Sequence, residues 1–244
     1  MLTPLHRALS GSKRSSPISG NPAMSVSSMC VGQIIVPPCG AFSGGYLECV
    51  GYSPIPHRRA MKILHIDSSI SGAESVSRKL SLAAVEKLQA EHPAADVVYR
   101  DLGAEPLPHL SLADLSDHQL VDEFLSADAI VLGAPMYNFT VPTNLKAWLD
   151  RIAIAGKTFQ YAANGPSGLA GGRKVIVAST RGGFYGPESP ITSYELQDRY
   201  LKTFFGFLGV TDLTFVNAEG LGMGPEQKSR AVQDAMTAVE NLAV

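Results

Sequence analysis

This chain of 244 residues lacks several of the sequence patterns that identify common enzyme classes. It has no run of 18 or more apolar residues, so no segment has the length and hydrophobicity of a membrane-spanning helix. The glycine-rich Walker loop with its lysine, the dinucleotide fingerprint G-x-G-x-x-G and the hydrolase sequence G-x-S-x-G are also missing. These absences argue against a nucleoside triphosphatase, a Rossmann dehydrogenase and a nucleophile-elbow hydrolase.

Cysteine is scarce, and all of it lies near the start of the chain. Cys30, Cys39 and Cys49 fall within residues 1–60, and their spacing matches no compact zinc or redox motif. The same residues include ten serines, seven prolines and seven glycines. This composition predicts a disordered extension. Two alternatives stay open: an organelle-targeting presequence, or a translation start at Met61.

Charge separates the first sixty residues from the rest of the chain. They contain five basic side chains and one acidic one, and because the whole chain has a net charge of −2, residues 61–244 have a net charge of −6. An acidic domain is a poor candidate for binding nucleic acid, which depends on neutralising phosphates. We therefore predict no nucleic-acid partner, and the lack of a long apolar run and of metal-ligand spacing predicts no membrane or metal partner.

Three nearly continuous apolar runs predict buried strands. They span residues 62–67, 129–134 and 174–179, and runs of this length suit parallel strands that are covered on both faces. Residues 96–102 and 210–216 predict two further strands. The sequence therefore predicts a five-stranded parallel sheet.

Segments with helical periodicity separate these strands. Residues 77–91 and 117–126 repeat apolar side chains at helical spacing, another helix is predicted to open near residue 142, and the last to span 225–242. Regular alternation of strands and helices predicts a doubly wound α/β domain with helices on both faces of the sheet.

A serine-rich loop follows the first predicted strand. Residues 68–77, SSISGAESVS, lead into a helix, where backbone N–H groups and hydroxyls suit a phosphate dianion. Ser75 and Ser77 are placed to donate hydrogen bonds to such a group. Ser75 has an equally simple interpretation as the N-cap of the helix, which this loop taken alone favours.

A second loop has the composition of a flavin ring site. After the strand that ends near residue 134, Met136, Tyr137 and Phe139 offer apolar walls, and Asn138 offers an amide. An isoalloxazine ring needs both kinds of group. The competing interpretation, a strand end buried in the core, is weakened because buried polar groups need partners.

A third loop, residues 180–183 with the sequence TRGG, follows another predicted strand. Its two glycines permit close backbone approach, or a positive φ, beside a flat ligand. Loops that leave the carboxyl ends of neighbouring parallel strands lie side by side. The three loops together therefore predict one flavin site.

Five segments carry a resemblance to one known family, and they are residues 68–70, 135–139, 164–169, 180–183 and 205–212. In order and content they resemble the FMN-dependent NADH-azoreductases, also called FMN-dependent NADH:quinone oxidoreductases. The resemblance covers residues 61–219 and beyond. It implies a flavodoxin-like FMN-binding domain over residues 61–244, in a cytoplasmic homodimer with one FMN per subunit at the subunit interface.

The resemblance also implies an activity and a set of cofactor contacts. NADH and then a quinone or an aromatic azo compound would react in turn at the FMN, by a ping-pong transfer of two electrons, and no side chain is expected to act as a catalytic acid. Arg181 would stabilise negative charge on the flavin, or would instead be a solvated or dimer-contact residue. The residues expected to contact FMN are Ser69, Ser75, Val76, Ser77, Met136, Tyr137, Asn138, Phe139, Thr180, Arg181, Gly182 and Gly183.

Two other functional classes were weighed against this one. A flavodoxin-type electron carrier would bind the same FMN, but it needs a strongly acidic docking face, and aromatic residues near the loops fit a closed pocket better. A serine hydrolase would use His65 with a serine after the first strand. We predict instead that His65, in the middle of that strand, is a core histidine.

Overall fold

The computed structural model of the protein describes residues 59–243. Nearly all of the segment for which we predict disorder, including Cys30, Cys39 and Cys49, lies outside these residues. Within residues 59–243 no helix is both long enough and apolar enough to cross a membrane.

A parallel sheet of five strands forms the centre of the fold, in the order β2-β1-β3-β6-β7. Strands β4 and β5 form a separate antiparallel hairpin. The strands are β1 (Lys62–Asp67), β2 (Asp96–Asp101), β3 (Ala129–Pro135), β4 (Phe159–Ala162), β5 (Gly165–Gly168), β6 (Lys174–Thr180) and β7 (Asp212–Ala218). The predicted doubly wound parallel sheet is confirmed.

Helices cover both faces of the sheet, as the periodicity predicts. They are α1 (Val76–Glu91), α2 (Gln119–Ser126), α3 (Thr143–Ile152), α4 (Gln197–Phe207) and α5 (Pro225–Glu240). Buried side chains of α1 and α5 share one core cluster, and those of α2, α3 and α4 share another. Strand β3 separates the clusters, because Ile130 and Leu132 point into one and Ala129 and Val131 into the other.

The largest boundary error in the predicted sheet lies at its last strand. We predict a strand from residue 210, whereas β7 begins at Asp212. The intervening residues complete the turn that ends α4: Gly209 has a φ of +89°, and the Val210 N–H donates to the Phe205 carbonyl at 3.0 Å. These backbone groups are therefore used by the helix end and are lost to the sheet.

The hairpin β4–β5 is absent from the sequence prediction. Its strands have four residues each, and β5 contains two glycines and a proline, so neither shows the apolar alternation of a strand. Packing positions it: a Cβ on Gly168 would lie 2.1 Å from the backbone nitrogen of Gly209. Only glycine permits this approach between the hairpin and the end of α4.

Candidate functional site

The strand order reverses between β1 and β3, and this reversal marks the edge of the sheet where a ligand binds in doubly wound folds. From β1 the chain goes to β2 on one side, and from β3 it goes to β6 on the other. The loops that leave the carboxyl ends of β1 and β3 therefore diverge and leave a crevice between them. All three loops singled out in the sequence leave this edge of the sheet.

The loop after β1 has buried hydroxyls and ends at the N-terminus of α1. The side chains of Ser69, Ser75 and Ser77 are at most 4% exposed. The Ser75 hydroxyl accepts from the Arg78 N–H at 3.3 Å and lies 3.0 Å from the Ser77 hydroxyl. The capping interpretation of Ser75 is thus confirmed, and a contact of these hydroxyls with a cofactor stays a prediction.

The loop after β3 is a tight turn with unusual backbone angles. Tyr137 and Thr140 exchange two backbone hydrogen bonds at 2.9 and 3.2 Å. Between them Asn138 and Phe139 have φ values of +48° and +75°. Such angles are rare in residues other than glycine, and bulky side chains in particular adopt them only under constraint. Part of this constraint is the Leu196 N–H, which donates to the Phe139 carbonyl at 3.1 Å.

The side chains of this turn differ in their exposure. Met136 and Tyr137 are half-buried, whereas Asn138 and Phe139 are exposed. The Phe139 ring packs edge-on against Tyr194, with the ring centroids 5.4 Å apart. The alternative interpretation of this segment as a strand end buried in the core is wrong, because Asn138 and Phe139 are both exposed.

The loop after β6 lacks the positive φ that was one of the two alternatives for its glycines, and the other, close backbone approach to a ligand, stays a prediction. Neither Gly182 nor Gly183 has a positive φ, and a Cβ on Gly182 would meet no other atom within 4 Å. The left-handed residues of this site are in the preceding loop instead. The backbone of Gly182 and Gly183 is bonded to the chain after β7, through the N–H groups of Gly222 and Gly220 at 2.9 Å each.

Arg181 is buried, with its side chain 3% exposed, so its interpretation as a solvated surface group is wrong. Its Nη2 lies 2.5 Å from Asp198 Oδ2, and its Nη1 lies 2.8 Å from Glu219 Oε1. A further carboxylate, that of Glu195, lies 3.7 Å away. Because the guanidinium is bound by these acids, we infer that its loop offers a ligand mainly backbone groups.

Two hydrogen bonds join the three loops into one surface. The Ile70 N–H of the first loop donates to the Tyr137 hydroxyl of the second at 3.2 Å. The Met136 N–H of the second loop donates to the Thr180 carbonyl of the third at 2.8 Å. Segments that are far apart in the sequence are therefore adjacent along one edge of the sheet, as the topology requires.

A family model described as flavodoxin-like fold matches residues 61–243. The chain belongs to this flavodoxin-like family. Two curated relatives align with this chain over nearly their whole length. A Bradyrhizobium diazoefficiens protein named FMN-dependent NADH:quinone oxidoreductase 2 is 48% identical, over 75% of this chain and 98% of that protein. A Xanthomonas axonopodis protein named FMN-dependent NADH:quinone oxidoreductase 1 is 50% identical, over 72% of this chain and 94% of that protein.

Solved structures of similar proteins agree with the flavodoxin-like assignment. An azoreductase from Bacillus anthracis has a TM-score of 0.67 and 29% identity, with 75% of this chain and all of that chain covered. An FMN-dependent NADH-azoreductase from Bacillus anthracis, in complex with FMN, has a TM-score of 0.65 and 27% identity, over 74% of this chain and 96% of that one.

The flavodoxin-like chain uses further residues at this edge that the sequence analysis missed. Asn144, in the first turn of α3, donates from Nδ2 to the carbonyls of Ser68 and Leu102 at 2.9 Å each. Arg78, in the first turn of α1, donates to the Ser69 carbonyl at 2.9 Å. A signal for Arg78 was present in the sequence, because a cation is unfavourable at a helix N-terminus.

Proposed function

We propose that this chain is an FMN-dependent reductase that uses NADH to reduce quinones and aromatic azo compounds. The observation that carries the proposal is the junction of the three loops, in which Tyr137 is bonded to the first loop and Met136 to the third. The names of the relatives support a reductase of small molecules over a flavodoxin-type electron carrier.

The first loop suits the phosphate end of FMN. N–H groups in the first turn of a helix have no intrahelical acceptor. In α1 the Arg78 N–H is bound by the Ser75 hydroxyl, and the Lys79 N–H makes the first regular helical bond, to the Ser75 carbonyl. The N–H groups of Val76 and Ser77 are left for an anion, beside the hydroxyls of Ser69, Ser75 and Ser77. This donor set, with the dipole of a helix of 16 residues behind it, matches a phosphate dianion.

The second and third loops suit the ring end. The turn at Asn138 and Phe139 presents an amide and an aromatic face, and the chain at Gly182 allows close approach from the other side. When bound, FMN supplies the two-electron redox chemistry. The residues of the chain orient the ring and exclude water, with Phe139, Tyr185 and Tyr194 forming an aromatic border at ring-centroid distances of 5.4 and 6.3 Å.

We further propose that the protein is a homodimer that acts in the cytoplasm. Around the second and third loops the single chain exposes large apolar side chains at 43–61% of their surface, and such a concentration favours a protein partner. They are Phe139, Phe184, Tyr194, Leu196 and Met223. Light scattering should give a mass of roughly twice 25.9 kDa, since each copy would cover these residues of the other.

Initial-rate kinetics with the purified protein, NADH and a quinone test the proposal. With one site for both substrates they must bind in turn, so double-reciprocal plots should be parallel, and a high concentration of either substrate should inhibit. An azo dye should replace the quinone and give the same pattern. Intersecting lines would disprove the shared site, and activity only in the presence of a partner protein would favour the electron carrier.

A further inference from the structure

Arg78 links the candidate phosphate loop to the neighbouring strand β2. Its Nη2 donates to the Ser69 carbonyl at 2.9 Å and to Asp101 Oδ1 at 2.6 Å. Its Nη1 donates to Asp101 Oδ2 at 2.6 Å and to the Tyr99 hydroxyl at 3.0 Å. A guanidinium that binds both oxygens of one carboxylate has a fixed position, and so does the carbonyl that it binds.

Asp101 is itself fixed by the turn that follows β2. Its Oδ1 accepts from the N–H groups of Gly103 and Ala104 at 2.9 and 3.0 Å. Gly103 packs closely on the loop, because a Cβ there would lie 2.3 Å from the Ser69 carbonyl oxygen. The end of β2 thus forms a rigid support for the Ser69 carbonyl.

Two successive carbonyls of the loop are bound by side-chain donors. Asn144 binds that of Ser68, and Arg78 binds that of Ser69. A carbonyl oxygen has a partial negative charge, so it repels a phosphate dianion that it faces. Side-chain donors that hold both carbonyls in place leave the N–H groups and hydroxyls of the loop for the anion.

An arginine at this position has an electrostatic cost and an electrostatic benefit. A cation in the first turn of α1 interacts unfavourably with the helix dipole. The same cation pairs with Asp101, and Asp67 Oδ2 lies 3.8 Å from its Nη1. Beyond this charge pairing, Arg78 connects a backbone carbonyl of the loop to β2, and that connection fixes the geometry of the loop.

We propose that Arg78 is a positioning residue for the FMN phosphate, which orients the loop at Ser69 through Asp101 without contacting the cofactor. This rests on the proposed function, since it takes FMN as the ligand of the loop. In this proposal, the pair formed by Arg78 on α1 and Asp101 on β2 supports the phosphate site. Arg78 should therefore affect the phosphate of the ligand and have little effect on its ring.

Comparing FMN with riboflavin isolates the phosphate. Dissociation constants for both flavins are measured by fluorescence titration of the full-length apoprotein, for the wild type and for Arg78→Gln. We expect the variant to bind FMN about tenfold more weakly and riboflavin within about threefold of the wild type, because only FMN reaches the misplaced loop. Arg78→Lys should show a similar loss, since an ammonium cannot bind Asp101 on both oxygens and the Ser69 carbonyl together.

Arg100→Gln is the matched control. Arg100 lies on β2 and binds Glu123 of α2 with two bonds at 3.0 and 3.1 Å, so its loss removes a comparable ion pair away from the loop. The control should leave the ratio of the two dissociation constants unchanged. If Arg78→Gln does not fold, Asp101→Asn loosens the same guanidinium, and its FMN to riboflavin ratio should shift in the same direction.

The remaining outcomes separate the two proposals. An equal loss for both flavins, no loss, or full rescue by Arg78→Lys would overturn the positioning role and leave the proposed function intact. A wild type that binds neither flavin would overturn both. A wild type that binds both flavins equally would show that the loop does not hold the phosphate, and would overturn the positioning role together with the placement of FMN.

Discussion

At the scale of single residues, the candidate site is distinguished by two left-handed residues in succession. Asn138 tolerates its φ of +48° better than most residues, because its short amide can bond locally, whereas Phe139 at +75° is held by its surroundings. The exposed Asn138 therefore has two separable roles: its backbone adopts the positive φ that the turn requires, and its amide is available to bind the flavin ring.

Two substitutions at Asn138 separate these roles. Asn138→Ala should destabilise the protein by about 1 kcal/mol, because alanine resists a positive φ, and should weaken FMN binding by about 1–3 kcal/mol through loss of the amide. Asn138→Gly should keep the fold as stable as the wild type but lose FMN affinity to the same extent. Urea unfolding and flavin titration measure the two effects. If Asn138→Gly binds FMN normally, the amide makes no contact with the cofactor.

Arg181 is buried and paired with two acids, so we expect its main role to be structural. Arg181→Gln should lower the free energy of unfolding by about 3 kcal/mol, because Asp198 and Glu219 would lose the cation that compensates them. Arg199→Gln, at an exposed position on α4, is the control and should change stability by less than about 0.5 kcal/mol. A stable Arg181→Gln protein with a large loss of turnover would instead favour a direct role at the flavin.

At the scale of the elements, the hairpin β4–β5 packs against the end of α4 through a close backbone contact. Gly168→Ala should destabilise the protein by about 1–3 kcal/mol, because its Cβ would overlap the backbone of Gly209. Relieving the overlap would require a backbone shift of the hairpin or of the end of α4. Gly206→Ala is the control: it lies in α4 with open space around it, and alanine there should be neutral or stabilising by up to about 1 kcal/mol. Thermal unfolding of both variants makes the comparison, and equal melting temperatures would contradict it.

At the scale of the whole molecule, two acids whose pKa values are lowered in the folded protein link stability to pH. The Arg78 guanidinium beside Asp101 lowers the pKa of that carboxyl below its usual range. Burial by itself would raise the pKa of Asp67, but hydrogen bonds and charge from His65, with bonds from Ser81 and Tyr99, lower it overall. The interpretation of His65 as a core residue is confirmed, since it is 5% exposed.

The sign of the pH effect follows from the lowered pKa of Asp101. A carboxyl with a lower pKa in the folded state contributes its full stabilisation above its unfolded pKa of about 3.9, and loses it as the pH falls through the folded value. The difference in unfolding free energy between wild type and Asp101→Asn should be constant from pH 7 to about 5 and shrink below about 4. Urea unfolding across this range measures it. A difference that shrinks already between pH 7 and 5 would assign the effect to another group.

The whole domain should also fold from residue 61 onward. A chain that begins at Met61 keeps all five strands of the sheet and every loop of the candidate site. We expect its melting temperature and FMN affinity to match those of the full-length chain, apart from the loss of the exposed ion pair between Arg59 and Asp128, which is worth less than about 1 kcal/mol. A marked fall in either quantity would assign residues 1–60 a structural role.

The sequence by itself determined the elements whose pattern is local. Strands β1, β3 and β6 are continuous apolar runs because both of their faces are covered, and α1 and α2 follow the helical period of one apolar face. The order of these elements was enough to bring three loops to one edge of the sheet. That much of the candidate site could therefore be predicted without a structure.

Only the tertiary structure decided which side chains meet. The roles of Arg78 and Arg181 depend on carboxylates distant in the chain, Asp101 on β2 and Glu219 after β7, and no local period encodes such pairs. The positive φ at Phe139 likewise depends on its neighbours, since the residue itself disfavours it. Local patterns report what each segment buries, whereas ion pairs and strained turns exist only once the segments have packed together.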